Sequence, residues 1–297
     1  MLSALLHGQA LQLAYSGAIV LVFLILERFF PAERQPLTAA VFNLLFALAG
    51  YVFITLQAYF FGKLFTFVLV TRQDWLTSVN FVHQQLGFVE FCWRLPIYLL
   101  VIDFLSYWEH RALHRIPILW RLHKLHHSDR NVNASTARRE HWLSDGVYMI
   151  TILVPGAVMF GALDLPVAAL IAYMATGFYN HANIRLHLGK LTAIVSGPQF
   201  HRIHHSILPE HYDKNFSGLF PIFDILFGTY HRPSRNEFPP TGLTDERIES
   251  QWVAHFGPFS PLGAIHRVRK PLSGCALFRS VEKHGQAATV RRGYPKS

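Results

Sequence analysis

Residues 110–127 read HRALHRIPILWRLHKLHH, and the same H-x-x-H-H ending returns at residues 201–205 as HRIHH. Residues three or four apart on a helix share a face, so His110 and His114 can close on a single metal ion through neutral imidazole nitrogens. His123, His126 and His127 do more. Their i+3 and i+4 members are sequence neighbours, about 100° apart around a helix axis, so they diverge and can feed two different ions. His201, His204 and His205 repeat that fork. Two forks of this kind predict two metals.

Eleven of the 18 histidines fall within residues 110–205, among them His141, His181 and His187 outside the clusters. A single histidine on such a chain reads as a polar core or headgroup residue. Three phased clusters do not.

The rest of the composition says where this chemistry sits. The chain has 297 residues, 51% of them hydrophobic and 15% charged, and its mean hydropathy is +0.24. That balance predicts membrane embedding rather than a soluble domain. Cys92 and Cys275 are the only cysteines, which excludes both a disulfide framework and a cysteine-based metal site. The net charge is +9, yet the basic residues flank apolar spans instead of interleaving in a nucleic-acid-reading motif. Anionic lipid headgroups account for them, and no nucleic-acid partner is expected.

Apolar runs at Leu11–Leu26, Ala39–Phe61 and Val89–Tyr107 reach or approach the roughly 20 residues that a helix needs to cross a bilayer, the third being interrupted by Arg94 and Pro96. The first has neither a preceding basic segment nor a small-residue cleavage site, so it reads as a retained helix. Runs at Gly146–Leu163 and Val167–Tyr179, joined by Asp164-Leu165-Pro166, read as a hairpin, with a kink at Pro155-Gly156. If five spans alternate, 24 of the 27 basic residues lie on one side together with every histidine cluster. The positive-inside rule makes that side cytoplasmic, with the amino terminus outside. The aromatic stretch 62–88 reads as an outer-face or interfacial segment. No internal repeat is present. The expected architecture is all-α: an integral membrane bundle of four to five transmembrane or hairpin helices carrying a cytoplasmic, histidine-rich metal cap. Its divisions are a membrane region at 1–90, a di-metal domain at 91–235, and a surface segment with a basic tail at 236–297.

Ligand chemistry alone leaves zinc, copper, iron and nickel open. A structural zinc needs four ligands; eight or more imidazoles favour a dinuclear centre with room for an exogenous ligand. The sequence runs DFLSYWEHRALH from Asp103, LWRLHKLHHS from Leu119, NHANIRL from Asn180, HRIHHS from His201 and DKNFSGLFPIFDILFGTY from Asp213. In order and spacing, across about residues 95–231, this resembles the sterol desaturase and fatty acid hydroxylase superfamily of membrane-bound, histidine-rich di-iron oxygenases; the short chain and the ERFFPAER run at 27–34 resemble its bacterial members, which implies a bacterial inner membrane.

The resemblance implies that His110, His114, His123, His126, His127, His201, His204 and His205 are metal ligands, with His181 as a ninth. They would hold two iron ions, with O2 as co-substrate, for hydroxylation or desaturation of an unactivated C–H bond in a membrane lipid such as a sterol or fatty acyl chain. Asp103, Tyr107, Asp213 and Asn215 are read either as partners orienting the imidazoles or as caps and anchors, Asp224 as a structural anchor, and Trp108 and Trp120 as interface markers. The family's common R-x-H-P-x-E departs here to Arg139-Glu140-His141-Trp142-Leu143-Ser144, and its R-L-P-L-G to Arg185-Leu186-His187-Leu188-Gly189. No ligand role is therefore carried onto His141 or His187. With no nucleotide fingerprint, haem-attachment motif or ferredoxin cysteine pattern in the sequence, electrons are expected from a separate ferredoxin or cytochrome-type donor.

Two rival readings remain. In one, a non-catalytic membrane protein binds a metal or haem; the ionisable residues between 142 and 181 lie near span ends, which disfavours transport. In the other, a zinc hydrolase uses paired histidines, but HRALH carries Arg111 where the H-E-x-x-H general base belongs.

Overall fold

The computed structural model of the chain describes residues 2–71, 88–156, 166–244 and 246–259. Among them the architecture is helical, with one isolated antiparallel bridge between Ser206 and Thr241. Helices α1 (Leu2–Phe29) and α2 (Leu37–Thr71) are apolar around their whole circumference, the pattern of a helix solvated by lipid. Leu21, Leu45, Val52 and Phe60 are exposed on them, surface that water would penalise and hydrocarbon would not.

Among the described residues these two supply the candidate membrane spans, Leu6–Phe29 and Leu37–Lys63, of the four or five transmembrane or hairpin helices expected. Helix α3 (Phe88–Arg115) is 28 residues long and runs through Arg94 and Pro96 without ending, but its carboxyl half carries Asp103, Glu109 and Arg111. Its polar residues serve the interior: Asp103 is fully buried and accepts the backbone N–H groups of Gly218, Leu219 and Phe220. Helix α4 (Pro117–His127) follows at once. Pro117 opens it, and Ile116 is held extended, as a residue before proline prefers. The chain turns there and carries the second histidine cluster back against the first.

Helix α5 (Trp142–Tyr148) passes into a wider turn at Met149–Leu153, just ahead of Pro155, whose ring removes a backbone donor. Helix α6 (Pro166–His181) is 16 residues long and returns to the cap. The hairpin tip at Asp164-Leu165, the stretch 72–87, Cys275 and the basic tail lie outside the described residues. Short helices α7 (Pro198–His204), α8 (Ile222–Leu226) and α9 (Gln251–Phe256) complete the order. The stretch after 236 packs into the protein: Ile248 and Ala254 are buried against Phe46 of α2 and Leu125 of α4.

Polar anchors tie the two apolar helices to the cap. Glu27, near the end of α1, accepts the backbone N–H groups of Ala134 and Asn183 at 2.7 and 2.8 Å. Asn43 of α2 donates to Asp129 and Ser135 and accepts from Arg139, which also donates to the carbonyls of Leu125 and Ile248. Replacing Glu27 with Ala strands two buried N–H groups, at about 1–3 kcal/mol each. The thermal midpoint of the purified Glu27→Ala protein should fall clearly below wild type; an unchanged midpoint would contradict the anchoring role.

Candidate metal centre

Nine imidazoles meet where α3, α4, α6 and α7 converge, and they divide into two clusters. His110, His114, His123, His127 and His204 offer ring nitrogens that all lie within 4.8 Å of one another; so do His126, His181, His201 and His205. The forks cross over. His123 and His127 serve the first cluster and His126 the second, whereas His201 and His205 serve the second and His204 the first. Each fork thus gives its i and i+4 members to one cluster and its i+3 member to the other, the divergence expected from the helical angle. All nine predicted residues are brought together. Eight are buried and His110 is partly so.

The nitrogens facing each other are close. His110 and His123 are 3.1 Å apart at Nε2, His114 and His127 3.0 Å, and His126 and His181 3.0 Å. In the second cluster the Nε2 atoms of His181, His201 and His205 form a closed triangle with sides of 3.0, 3.2 and 3.2 Å. A neutral imidazole nitrogen carries either a proton or a lone pair, so such a triangle cannot be closed by hydrogen bonds. Ligand nitrogens about 2.0–2.1 Å from one shared ion lie about 2.9–3.4 Å from each other. Nε2 of His204 is buried without any hydrogen-bond partner. The donor set therefore fits two metal ions, one for each cluster.

The far ring nitrogens are held from behind, which fixes tautomer and ring direction. Nδ1 of His110 donates to the Phe216 carbonyl at 2.9 Å, that of His204 to Lys214 at 2.8 Å, and that of His181 to Gly177 at 2.7 Å. Glu140 stands behind both clusters. One of its oxygens lies 3.4 Å from Nδ1 of His123 and the other 3.1 Å from Nδ1 of His126. Burial pushes its carboxyl up to about 8, an effect that nearby metal cations would oppose. Sequence reasoning passed over Glu140, although it directly precedes the His141 that drew attention.

His141 lies outside both clusters: its Nε2 donates to the His255 carbonyl and its Nδ1 accepts the Leu143 N–H, capping α5. His187 also lies outside, 3.3 Å from the Gln199 side chain. Of the proposed orienting residues, Asp213 is 3.7 Å from Nδ1 of His114. Asp103, Tyr107 and Asn215 are anchors: Tyr107 pairs with Thr229, and Asn215 donates to the carbonyls of Phe200 and His231. Asp224 is a buried anchor as expected, accepting from the N–H groups of Phe216 and Ser217. The ring of Trp120, read as an interface marker, lies tilted against those of His114 and His127, with centroids 5.1 and 5.5 Å away.

Burial, and then the neighbouring imidazoles, hold His126, His127, His201, His204 and His205 well below their ordinary pKa. They are neutral at pH 7, as ligation requires. Unfolded, each would take up a proton near pH 6.5; folded, each resists it. Stability present above that pH is therefore lost as pH falls below it, by up to about 1.4 kcal/mol per residue per pH unit. Metal-stripped protein should show a thermal midpoint that drops steeply from pH 7 to pH 5, and a flat profile would contradict the burial of neutral imidazoles. The crossed forks make a sharper prediction. His126→Ala and His127→Ala, one residue apart, should weaken different ions, so metal analysis with site-resolved spectroscopy should find distinct residual signals. Identical spectra from the two variants would contradict the division.

Residues 95–229 match the fatty acid hydroxylase family. The chain is 31% identical over 180 residues to human alkylglycerol monooxygenase, covering 59% of this chain and 40% of that protein. It is 30% identical over 197 residues to ornithine lipid hydroxylase OlsE of Rhizobium tropici, covering 65% and 58%. With the Delta(7)-sterol 5(6)-desaturase erg32 of Schizosaccharomyces pombe the identity is 28% over 184 residues, covering 60% and 53%. The matches thus span about two fifths to three fifths of these relatives' lengths, and no solved structure matches significantly. Over residues 95–229 the chain is thus similar to the fatty acid hydroxylase family, and over the wider matched stretch to proteins named as an alkylglycerol monooxygenase, an ornithine lipid hydroxylase and a sterol desaturase.

Proposed function

We propose that this protein uses O2 to oxidise an unactivated C–H bond in the hydrocarbon part of a membrane lipid. The observation that carries this reading is the pair of crossed imidazole clusters buried beneath two lipid-compatible helices. His110, His114, His123, His127 and His204 would hold one iron, and His126, His181, His201 and His205 the other. Two irons bound there supply the activation of O2 and the oxidising power for C–H cleavage. Hydroxylation consumes one O2, two electrons and two protons and returns one water; desaturation returns two. The electrons come from a separate ferredoxin or cytochrome-type protein. The cap faces the cytoplasm, with α3 and the α5–α6 hairpin completing the membrane bundle around the two long spans.

The protein's own residues do three things in this scheme. The Nδ1 contacts to Phe216, Gly177, Lys214 and Glu140 keep the rings aimed, and burial keeps them neutral. The buried walls around them exclude water from the reacting carbon. Between α1, α2 and α6 lies a largely apolar cavity of about 210 Å³, lined by Leu13, Gly17, Val20, Leu48 and Met174 with Arg138 in its wall. Arg138 is two residues from Glu140, so a lipid chain lying in this cleft has a cationic partner for its polar head near the metal cap. A lipid with a polar or anionic headgroup suits that arrangement better than a sterol.

The test is lipid profiling of a host with and without the gene, searching for products heavier by one oxygen or lighter by two hydrogens. Wild type should yield one of these. A Cβ added at Gly17 meets no atom within 4 Å, so Gly17→Leu should fold, bind metal and yet lose most product by filling the cleft. Full activity in that variant would remove the cleft from the substrate route. Absence of either mass shift with the iron-loaded wild type and an electron donor present would remove the oxidase reading.

A further inference from the structure

Outside the two imidazole clusters, a third group of ligand-type atoms converges on the loops that follow α7 and α8. His211 ends a single helical turn at Pro209–His211, His231 follows α8, and Glu237 lies six residues beyond it. Oε1 of Glu237 is 3.0 Å from Nε2 of His211 and 3.0 Å from Nε2 of His231, and the two rings are 4.8 Å apart, nearly edge to face. The three atoms share one point of approach.

Two of the three groups are also held from the far side. Nδ1 of His211 is 2.9 Å from the Ser206 hydroxyl, and the second oxygen of Glu237 accepts the Ser234 N–H at 2.8 Å. Gln199 donates to the carbonyls of Ser234 and Glu237, fixing the turn that carries the carboxylate. His211 is buried, while His231 and Glu237 are partly open to solvent, which leaves a path for an ion and a fourth position for water. Two rings converging through Nε2, one of them braced at its far nitrogen, with a braced carboxylate between them, form the donor set of a two-histidine, one-carboxylate site.

We propose that His211, His231 and Glu237 form a third metal site, for a divalent transition ion of the zinc type, distinct from the two imidazole clusters. Its role is structural. The ion ties the segment after α8 to the loop after α7, which braces the clusters: Lys214 and Phe216 accept from His204 and His110, and Asn215 pairs with the His231 backbone. This inference does not depend on the oxidase reading.

The competing arrangement is a carboxylate that accepts two imidazole N–H groups and binds no metal. The two are separated by titrating the purified, iron-loaded full chain with Zn2+ against a chromophoric chelator, with metals counted by mass spectrometry. Wild type should take one zinc per chain without releasing iron. Glu237→Gln, which keeps the side chain's shape but replaces one accepting oxygen with a donor, and His231→Ala should each weaken that zinc at least about tenfold while iron content stays unchanged. Zinc uptake only by displacement of iron, or zinc bound equally well by both variants, would overturn the proposal.

Discussion

Nine imidazole nitrogens held a few ångströms apart in a buried space is the constraint on which this structure depends. Charged, they would repel and resist burial; neutral and unligated, they leave nitrogens such as Nε2 of His204 with nothing to bond, and a triangle at His181, His201 and His205 that protons cannot satisfy. Two cations resolve both problems. Much of the remaining cap reads as support for that arrangement. Pro117 turns the chain so that the second cluster faces the first, Asp103 and Asp224 pin the loop that carries Phe216, and Glu140 backs a histidine of each cluster.

The same constraint shapes the junction with the membrane helices. A rigid polar cap must be joined to helices whose outer faces suit hydrocarbon, and the joint is made by a few buried polar side chains rather than by apolar packing alone. Glu27 and Asn43 reach from the two spans to loop backbones and side chains beside the clusters. Arg138, two residues before Glu140, also lines the cleft between those spans.

Helical spacing made the main site legible in the sequence. The divergence of His126 from His127 and of His204 from His205 follows from the angle per residue, and the structure sends each pair to two clusters. Which ligands join which cluster was not legible, because that depends on how α4 and α7 cross, and sequence periodicity carries no information about a crossing. Glu140 escaped notice because it acts from a loop. His211, His231 and Glu237 follow no period at all. Asp103 and Glu109 place charge in the carboxyl half of a helix whose first half is apolar, and the tertiary partner of Asp103 appears only once the loop at 218–220 folds back on it. Ile248 and Ala254, assigned to a surface segment, are buried because Phe46 and Leu125 present an apolar face to them.

The central claim is that the two crossed clusters hold a pair of irons. Mössbauer spectroscopy of the full chain, purified after growth on 57Fe, tests it most directly, with iron counted on the same sample. The account predicts two irons per chain in imidazole-rich, non-equivalent sites. One iron per chain in a single environment, or zinc filling both clusters in protein that still oxidises lipid, would contradict it.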